Sequence, residues 1–402
     1  MPRSNVPLLV ATLIALWFFF SFANIPDPDP DHFRGAAPPE VTAVAPASPS
    51  AAAVAAALTD NVVTSNPSAG RPIDHNAIAY KGLAYAIPDP NFSDRKSDVV
   101  DTFAEFKNKD VCPLSSLDLH RPFEPLCGTK SDLLEAMSSG GRIGFDAPYM
   151  PRGCDMRWYG ADEICDILGR FDKIMFIGDS MMRHAVGALH ILLRQDLAYG
   201  AVTNWNFRAD ERENCFCQGQ FDPEKCALQG IFNSADVLKF DPSSFKCSAD
   251  VIDIQNHVIS TYPPSSEDLQ KLGDAIASQT GGRQTAFIYG HGHHNEFEVS
   301  ATEGWLASIQ RTISERIGKG VPWSQLFVTP GASGANIGEA ESLKFGTKAL
   351  QVFEQRMRVL GPEKDVDVLG TWNATIQSTL RDGRHSDIKG NLLKAMMILN
   401  WL

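Results

Sequence analysis

Four short apolar runs constrain this chain most: KIMFI (173–177), TAFIY (285–289), QLFVT (325–329) and VDVL (366–369). Each is too short for a stable helix, and none alternates with polar residues. That pattern fits strands buried on both faces. Behind the first run, SMMRHAVGALHILLRQD carries Met181, Ala185, Leu189 and Leu192 at helical spacing. Helix-length segments also cover Glu267–Ser278, Gly304–Gly318, Thr347–Leu360 and Ile388–Leu402. Strands alternating with helices of this length need crossover connections, which make neighbouring strands parallel and put helices on both faces of the sheet. The predicted fold class is therefore α/β, a three-layer α/β/α sandwich around a parallel sheet. In such sheets a site lies at the carboxyl ends of the strands.

The segments ahead of this pattern differ in kind. A chain of 402 residues can form one large domain or two medium ones. Val6 to Ala23 is uncharged and almost wholly apolar, with Arg3 the only charged side chain before it and PDPDPD after it. Its length, with positive charge before and acidic charge after, predicts a type II signal anchor over residues 1–25 with the remainder translocated. Ser21-Phe22-Ala23 has the small-x-small form of a cleavage site, so a secreted product is the alternative. Residues 26–74 are rich in Pro, Ala and Ser, and cannot bury enough apolar surface to offset chain entropy; they read as a flexible stem ahead of a luminal domain over 75–402. An even count of eight cysteines and two sequons, at Asn91 and Asn373, agree with a secretory lumen. Cys215, Cys217, Cys226 and Cys247 could hold zinc, but their spacing matches no common zinc motif. Disulfides are favoured there, with Cys112, Cys127, Cys154 and Cys165 forming the other pairs and connectivity open. The net charge of −12 argues against a nucleic-acid partner.

Three motifs carry candidate chemistry. In FIGDSMMRH, a strand ends, Gly178 allows a tight turn, and Ser180 opens a helix. A serine there is either a plain N-cap or a hydroxyl exposed at a positive helix end, where backbone N–H groups can stabilise an oxyanion. A nucleophilic serine needs a base, and Asp382-x-x-His385 lies just before the last helix. It is either that base with its orienting carboxylate or a solvated Asp-Gly turn. Arg183 falls one turn beyond Ser180, placed to bind a carboxylate or sugar oxygen, or to form a surface ion pair. The third motif, YGHGHHNEFE, concentrates His291, His293 and His294 after a strand, in a chain with ten histidines. Zinc hydrolases place H-x-H in this way, with later His and Asp ligands such as Asp382 and His385. A metal reading leaves Ser180 idle, whereas a serine reading uses all three motifs.

Together, G-D-S-x-x-R after a strand and a late D-G-x-H before a helix ending in LNWL resemble the SGNH/GDSL hydrolase superfamily. Within it they are similar to the PC-esterase branch, which includes trichome-birefringence-like proteins and the luminal domain of sialic-acid O-acetyltransferases. YMPRGCDMRWYGADEIC, with Cys154, Tyr159 and Cys165 and a short helix leading into the strand, adds to the likeness, which spans roughly Tyr149 to Leu402. The resemblance implies a flavodoxin-like sandwich and acyl-ester chemistry on carbohydrate hydroxyls without a cofactor or metal. It implies Ser180 as nucleophile, His385 as base and Asp382 as its orienter. A glycine and an asparagine are implied as further oxyanion donors. Gly219 is the candidate for the first. For the second, the loop GHGHHNEF departs from the family pattern by an extra histidine and leaves Asn295 and His293 as alternatives. The expected activity is O-acetyl transfer to a glycan or polysaccharide in a Golgi-like compartment, with the acyl donor open. The alternatives are an acetylesterase with the same triad, a metal-dependent hydrolase and a non-catalytic glycan-binding module.

Overall fold

The computed structural model describes residues 125–402, apart from 204–206, 229–232, 242, 249–251, 279–281 and 335–336. The expected anchor and stem, the Asn91 sequon and Cys112 lie outside the described residues. Among the described residues, no helix is long and apolar enough to cross a membrane.

The apolar runs form strands that alternate their side chains between two cores. Strand β1 (Phe171–Gly178) directs Ile174 and Phe176 to one side and Met175 and Ile177 to the other. Strands β3 (Gln284–Gly290) and β4 (Trp323–Val328) divide in the same way. With β2 (Ile254–Val258) and β5 (Asp367–Leu369) they form one all-parallel sheet in the order β2-β1-β3-β4-β5. Strand β2 is not among the four predicted runs. Its sequence, IQNHV, has only two apolar residues, and as an edge strand it pairs with β1 alone. One buried face then suffices, so no apolar run marks it.

Helices cover both faces. Helices α1 (Lys130–Ser139), α2 (Ala161–Leu168) and α3 (Ser180–Arg194) precede β2 in the chain; α4 (Ser266–Ala277), α5 (Val299–Arg316), α6 (Thr347–Glu363) and α7 (Ile388–Trp401) follow it. Residues of α2, α3 and α7 share one core with Phe176, Ile288 and Val328 of the sheet. Residues of α4, α5 and α6 share the other with Met175, Phe287 and Phe327. Helix α7 is buried on nearly all sides, including Asn391 and Lys394, and is apolar almost all round. The aperiodic stretch before Tyr149 holds α1, capped by the Thr129 side chain accepting from the Asp132 amide at 3.0 Å. Helix α5 starts five residues earlier than its predicted Gly304, because its first turn is made of small and polar residues without a periodic apolar face.

The cysteine grouping expected from the sequence does not hold. Cys127 bonds to Cys154, Cys215 to Cys226 and Cys165 to Cys247, and Cys217 is also disulfide-bonded. Cys165 and Cys247 come from different expected foursomes and lie 82 residues apart. They meet because β1 and β2 are parallel neighbours, so the segments entering them run side by side. The Asn373 sequon is also not on an exposed loop: the Asn373 amide donates to the Ser138 carbonyl at 2.8 Å, and Thr375 is buried.

One buried histidine ties stability to pH. His190 of α3 is fully buried against Phe245, and neither ring nitrogen has a hydrogen-bond partner. Burial, with Arg194 adding to it, pushes its pKa from 6.5 down to about 3. The folded value lies below the unfolded one, so between them the unfolded chain takes up a proton that the fold refuses. The stability is therefore whole above the unfolded value and falls as pH drops toward the folded one. The His190→Leu variant is expected to lose less melting temperature than the parent between about pH 7 and about pH 5. Equal losses in thermal denaturation would show that His190 does not carry this dependence.

Candidate active site

The site is built where the sheet order reverses, between β1 and β3 at their carboxyl ends, the position at which doubly wound sheets bind ligands. Gly178 ends β1 opposite Gly290, which ends β3. A Cβ on Gly178 would sit 2.0 Å from the Gly290 carbonyl oxygen, so only glycine lets the strands approach this closely. The chain then turns into α3. Its cap is Asp179, whose carboxylate accepts from the Met181 amide at 2.9 Å. Ser180 is thus not spent as a cap, and its hydroxyl is available for another bond.

That bond is to the far end of the chain. Ser180 Oγ lies 2.7 Å from His385 Nε2, across 205 residues of sequence. The opposite ring nitrogen, Nδ1, lies 2.6 Å from Asp382 Oδ2. Asp382 Oδ1 also accepts the backbone amides of Arg384, at 3.0 Å, and of His385, at 2.8 Å. Partial burial opposes ionisation of Asp382, but the amide and ring of His385 and the Arg384 amide outweigh it and hold the carboxyl well below its ordinary pKa. A carboxylate fixed in this way keeps the proton of His385 on Nδ1 and turns Nε2 toward the serine as acceptor. All three residues singled out as a triad are brought together.

Several groups around this relay were not singled out in the sequence. His184, four residues after Ser180 on α3, packs its ring against His385 at 4.8 Å and against Phe221 at 5.4 Å. It is buried without a hydrogen-bond partner on either nitrogen. Burial first, then the charges of His385 and Arg183, hold it neutral. Its i, i+4 spacing from Ser180 was the available signal. Lys394 of α7 is 4 % exposed. Burial lowers its pKa to about 8, while Asp179 and Asp387 support its charge. Those two aspartates cap α3 and α7, so the caps of both helices that carry the relay favour the charge of one buried ammonium. A lysine inside the apolar stretch Leu392–Leu399 was its only trace in the sequence.

The histidine loop divides among three environments. His291 is buried, stacks on Trp305 at 4.7 Å and lies 2.9 Å from Thr302 Oγ1 through Nδ1. It belongs to the core beneath the loop. His294 is exposed. His293 turns both ring nitrogens inward without hydrogen-bond partners. Burial, then the charges of Arg384 and His385, push its pKa down to about 3, so it is a neutral ring, packed edge-on against Phe297 at 5.0 Å. Asn295 ends the short turn over His293–Asn295, and its buried side chain interacts with the His291 ring. Glu296 pairs outward with Lys344 at 2.6 Å. Among the described residues, no three His, Cys, Asp or Glu side chains converge to hold a metal. Gly219 sits in the turn Cys217–Phe221, and its amide already donates to the Phe216 carbonyl at 2.9 Å. A Cβ there would meet the Asn214 carbonyl oxygen at 2.0 Å, which accounts for the glycine by packing.

No family model, curated protein sequence or solved structure matches the chain.

The loop carrying His385 is anchored from a distance by Asp146. Its carboxylate accepts from the Thr379 amide at 2.8 Å, the Thr379 hydroxyl at 2.6 Å and Lys389 Nζ at 3.1 Å, gripping the chain on either side of Arg381–His385. Asp146→Ala removes all three acceptors. It is expected to slow modification of Ser180 by a fluorophosphonate probe about tenfold or more and to cost roughly 1–3 kcal/mol of stability. Unchanged labelling in a destabilised variant would limit Asp146 to a structural role.

Proposed function

We propose that this protein transfers O-acyl groups, acetyl in the first instance, to glycan or polysaccharide hydroxyls through an acyl-serine intermediate on Ser180. The observation that carries this reading is the continuous relay Ser180–His385–Asp382, at 2.7 and 2.6 Å. Four other features support it: a nucleophile at the first position of a fifteen-residue helix, an ionised Asp382, a neutral polar ring at His293, and the flavodoxin-like strand order. Disulfides throughout the described domain suit an oxidising secretory lumen, where a type II anchor would hold it.

The chemistry follows from the geometry. His385 Nε2 accepts the Ser180 proton as Oγ attacks the carbonyl carbon of an acyl ester or thioester. The carbonyl oxygen becomes an oxyanion at the amino end of α3, where the Met181, Met182 and Arg183 amides are taken by Asp179 and the Ser180 amide and the His293 or Asn295 side chain are the candidate donors. Asp382 stabilises the imidazolium without taking its proton. The tetrahedral centre collapses, the imidazolium proton passes to the departing alcohol or thiol, and the acyl group stays on Ser180. An acceptor hydroxyl then gives its proton to Nε2 and attacks the acyl-serine; the second tetrahedral centre collapses, the acyl–Oγ bond breaks, and the imidazolium proton returns to Ser180 Oγ as the new ester is released. Water in place of the sugar hydroxyl makes the same residues an esterase. Asp382 is 41 % exposed on its side chain, so one flank of the relay meets solvent, which favours hydrolysis as the second reading.

Ser180→Ala and His385→Ala are each expected to reduce turnover by about 10⁴-fold or more, while EDTA leaves it unchanged. Activity that EDTA removes and zinc restores would instead support a metal hydrolase, and the absence of fluorophosphonate labelling on folded protein would support a binding module. Incubation with an acetylated glycan and a second, unacetylated glycan separates the two serine activities. Acetylated acceptor is the expected product, and free acetate alone would make the protein an esterase.

A further inference from the structure

One ion pair reaches the relay from outside it. Arg381 directly precedes Asp382, and its guanidinium is divided between two carboxylates: Nη1 lies 2.8 Å from Asp222 Oδ2, and Nη2 lies 3.6 Å from Asp382 Oδ2. The second of these oxygens is the one that faces His385 Nδ1 at 2.6 Å. A single line of contacts thus runs Asp222–Arg381–Asp382–His385–Ser180. Asp222 is buried and built into its own turn. Its amide donates to the Gly219 carbonyl at 2.9 Å, and its Oδ1 accepts from the Glu224 amide at 3.1 Å. Lys225 stands farther from Oδ2, at 3.9 Å, and is exposed. The same turn grips the relay at two more points. Phe221 packs edge-on against His184, whose ring lies 4.8 Å from that of His385, and the Gln218 side-chain oxygen accepts from the Ile388 amide at 2.7 Å. The Cys215–Cys226 bond closes the chain around these residues. Asp222 is therefore held in place independently of Arg381, and the arginine is the group shared between two partners.

We infer that Asp222 is a positioning residue for the base: it draws the Arg381 guanidinium away from Asp382, so that this carboxylate directs its charge to the His385 ring. This rests on the acyl-transfer reading above and specifies how its base is tuned. Asp382 favours the imidazolium that forms when His385 takes the Ser180 proton. A guanidinium near the same oxygen opposes that charge, and a carboxylate behind the guanidinium offsets it. Without Asp222 the fork is free to close on Asp382 as a two-point pair, the geometry that arginine and carboxylate prefer. The oxygen that serves Nδ1 would then be shared, and the imidazolium would lose support. The backbone of this loop has its own tie, since the Arg381 amide donates to the His385 carbonyl at 2.8 Å. Other ionisable groups surround the base: Asp179, Arg183 and His184 at the start of α3, Lys394 of α7, His293 and His294 after β3, and Arg384, which pairs with Glu341 at 2.6 Å. All of them stay the same when only Asp222 or Arg381 is changed.

The test compares Asp222→Asn, Arg381→Gln and Arg381→Lys with the parent in the full-length protein. The readout is the acid limb of the pH profile for Ser180 labelling by a fluorophosphonate probe, because that limb reports protonation of the base. Asp222→Asn leaves Arg381 unopposed and disfavours the imidazolium, so the limb moves to lower pH by about half a unit. Arg381→Gln removes the positive charge and leaves Asp222 in place, so the limb moves to higher pH by about the same amount. Arg381→Lys keeps the charge and brings the limb back toward the parent. A merely structural ion pair would not give shifts of opposite sign, since both variants lose the same contact. Limbs that coincide with the parent while melting temperatures fall, or that move the same way in Asp222→Asn and Arg381→Gln, overturn the inference. If Asp222→Asn does not fold, the difference between Arg381→Gln and Arg381→Lys decides it. Titration of the His385 ring by NMR in histidine-labelled protein carries the same order without any reaction: Arg381→Gln above the parent, and the parent above Asp222→Asn. If Ser180 labelling is absent while that order holds, the acyl-transfer reading fails and this inference stands. If labelling is present with coincident limbs, the reverse holds.

Discussion

The packing of α3 against α7 is the contact on which the site depends. Both helices lie on one face of the sheet and are buried over most of their length. Ser180 is the first residue of α3, and His385 lies three residues ahead of the first residue of α7. Once the two helices pack, their amino ends come together and the 205 residues between Ser180 and His385 cease to separate them. The pairing of Gly178 with Gly290 sets where α3 begins, and Asp146 sets where the chain entering α7 is held. A core contact therefore fixes a polar one, with the precision that close packing confers.

The polar groups beneath the relay fit this arrangement. Asp179 and Asp387 cap the two helices, and Lys394 is buried near both. Buried charges are costly when single and tolerable when compensated and hydrogen-bonded. Removing Lys394 would take an ammonium from Asp179, a buried carboxylate whose pKa is already raised, while Asp387 would keep the charge of Lys389. His184 adds a neutral ring against His385. Its tilted ring packs at 4.8 Å and restricts the imidazole. The loop after β3 is held in a similar way: His291 supports it from the core, and His293 is a neutral ring packed against Phe297. Three histidines that look like a set in sequence do separate work, because a short turn after Gly292 sends consecutive side chains in different directions.

The sequence alone determined the central strands, the long helices and the three residues of the relay, because each leaves a local trace. An apolar run marks a strand buried on both faces, 3.6-residue spacing marks a helix, and a short Asp-x-x-His spacing lets a carboxylate and an imidazole share one loop. Strand β2, the Cys165–Cys247 bond and the grouping of the cysteines left no such trace, since an edge strand needs only one apolar face and a disulfide joins whatever the sheet order brings together. Tertiary structure alone decided that Asp179 caps α3 in place of Ser180, that His291 stacks on Trp305 while His293 packs against Phe297, and that Gly219 spends its amide on Phe216. It also decided that Arg381 reaches Asp222 as well as the adjacent Asp382. The physical reason is the same in each case. A side chain's type and spacing can be read along the chain, but its burial and its partners follow from how the chain turns and packs around it, whether the partner is three residues away, as for the Gly219 amide, or 205 away, as for Ser180.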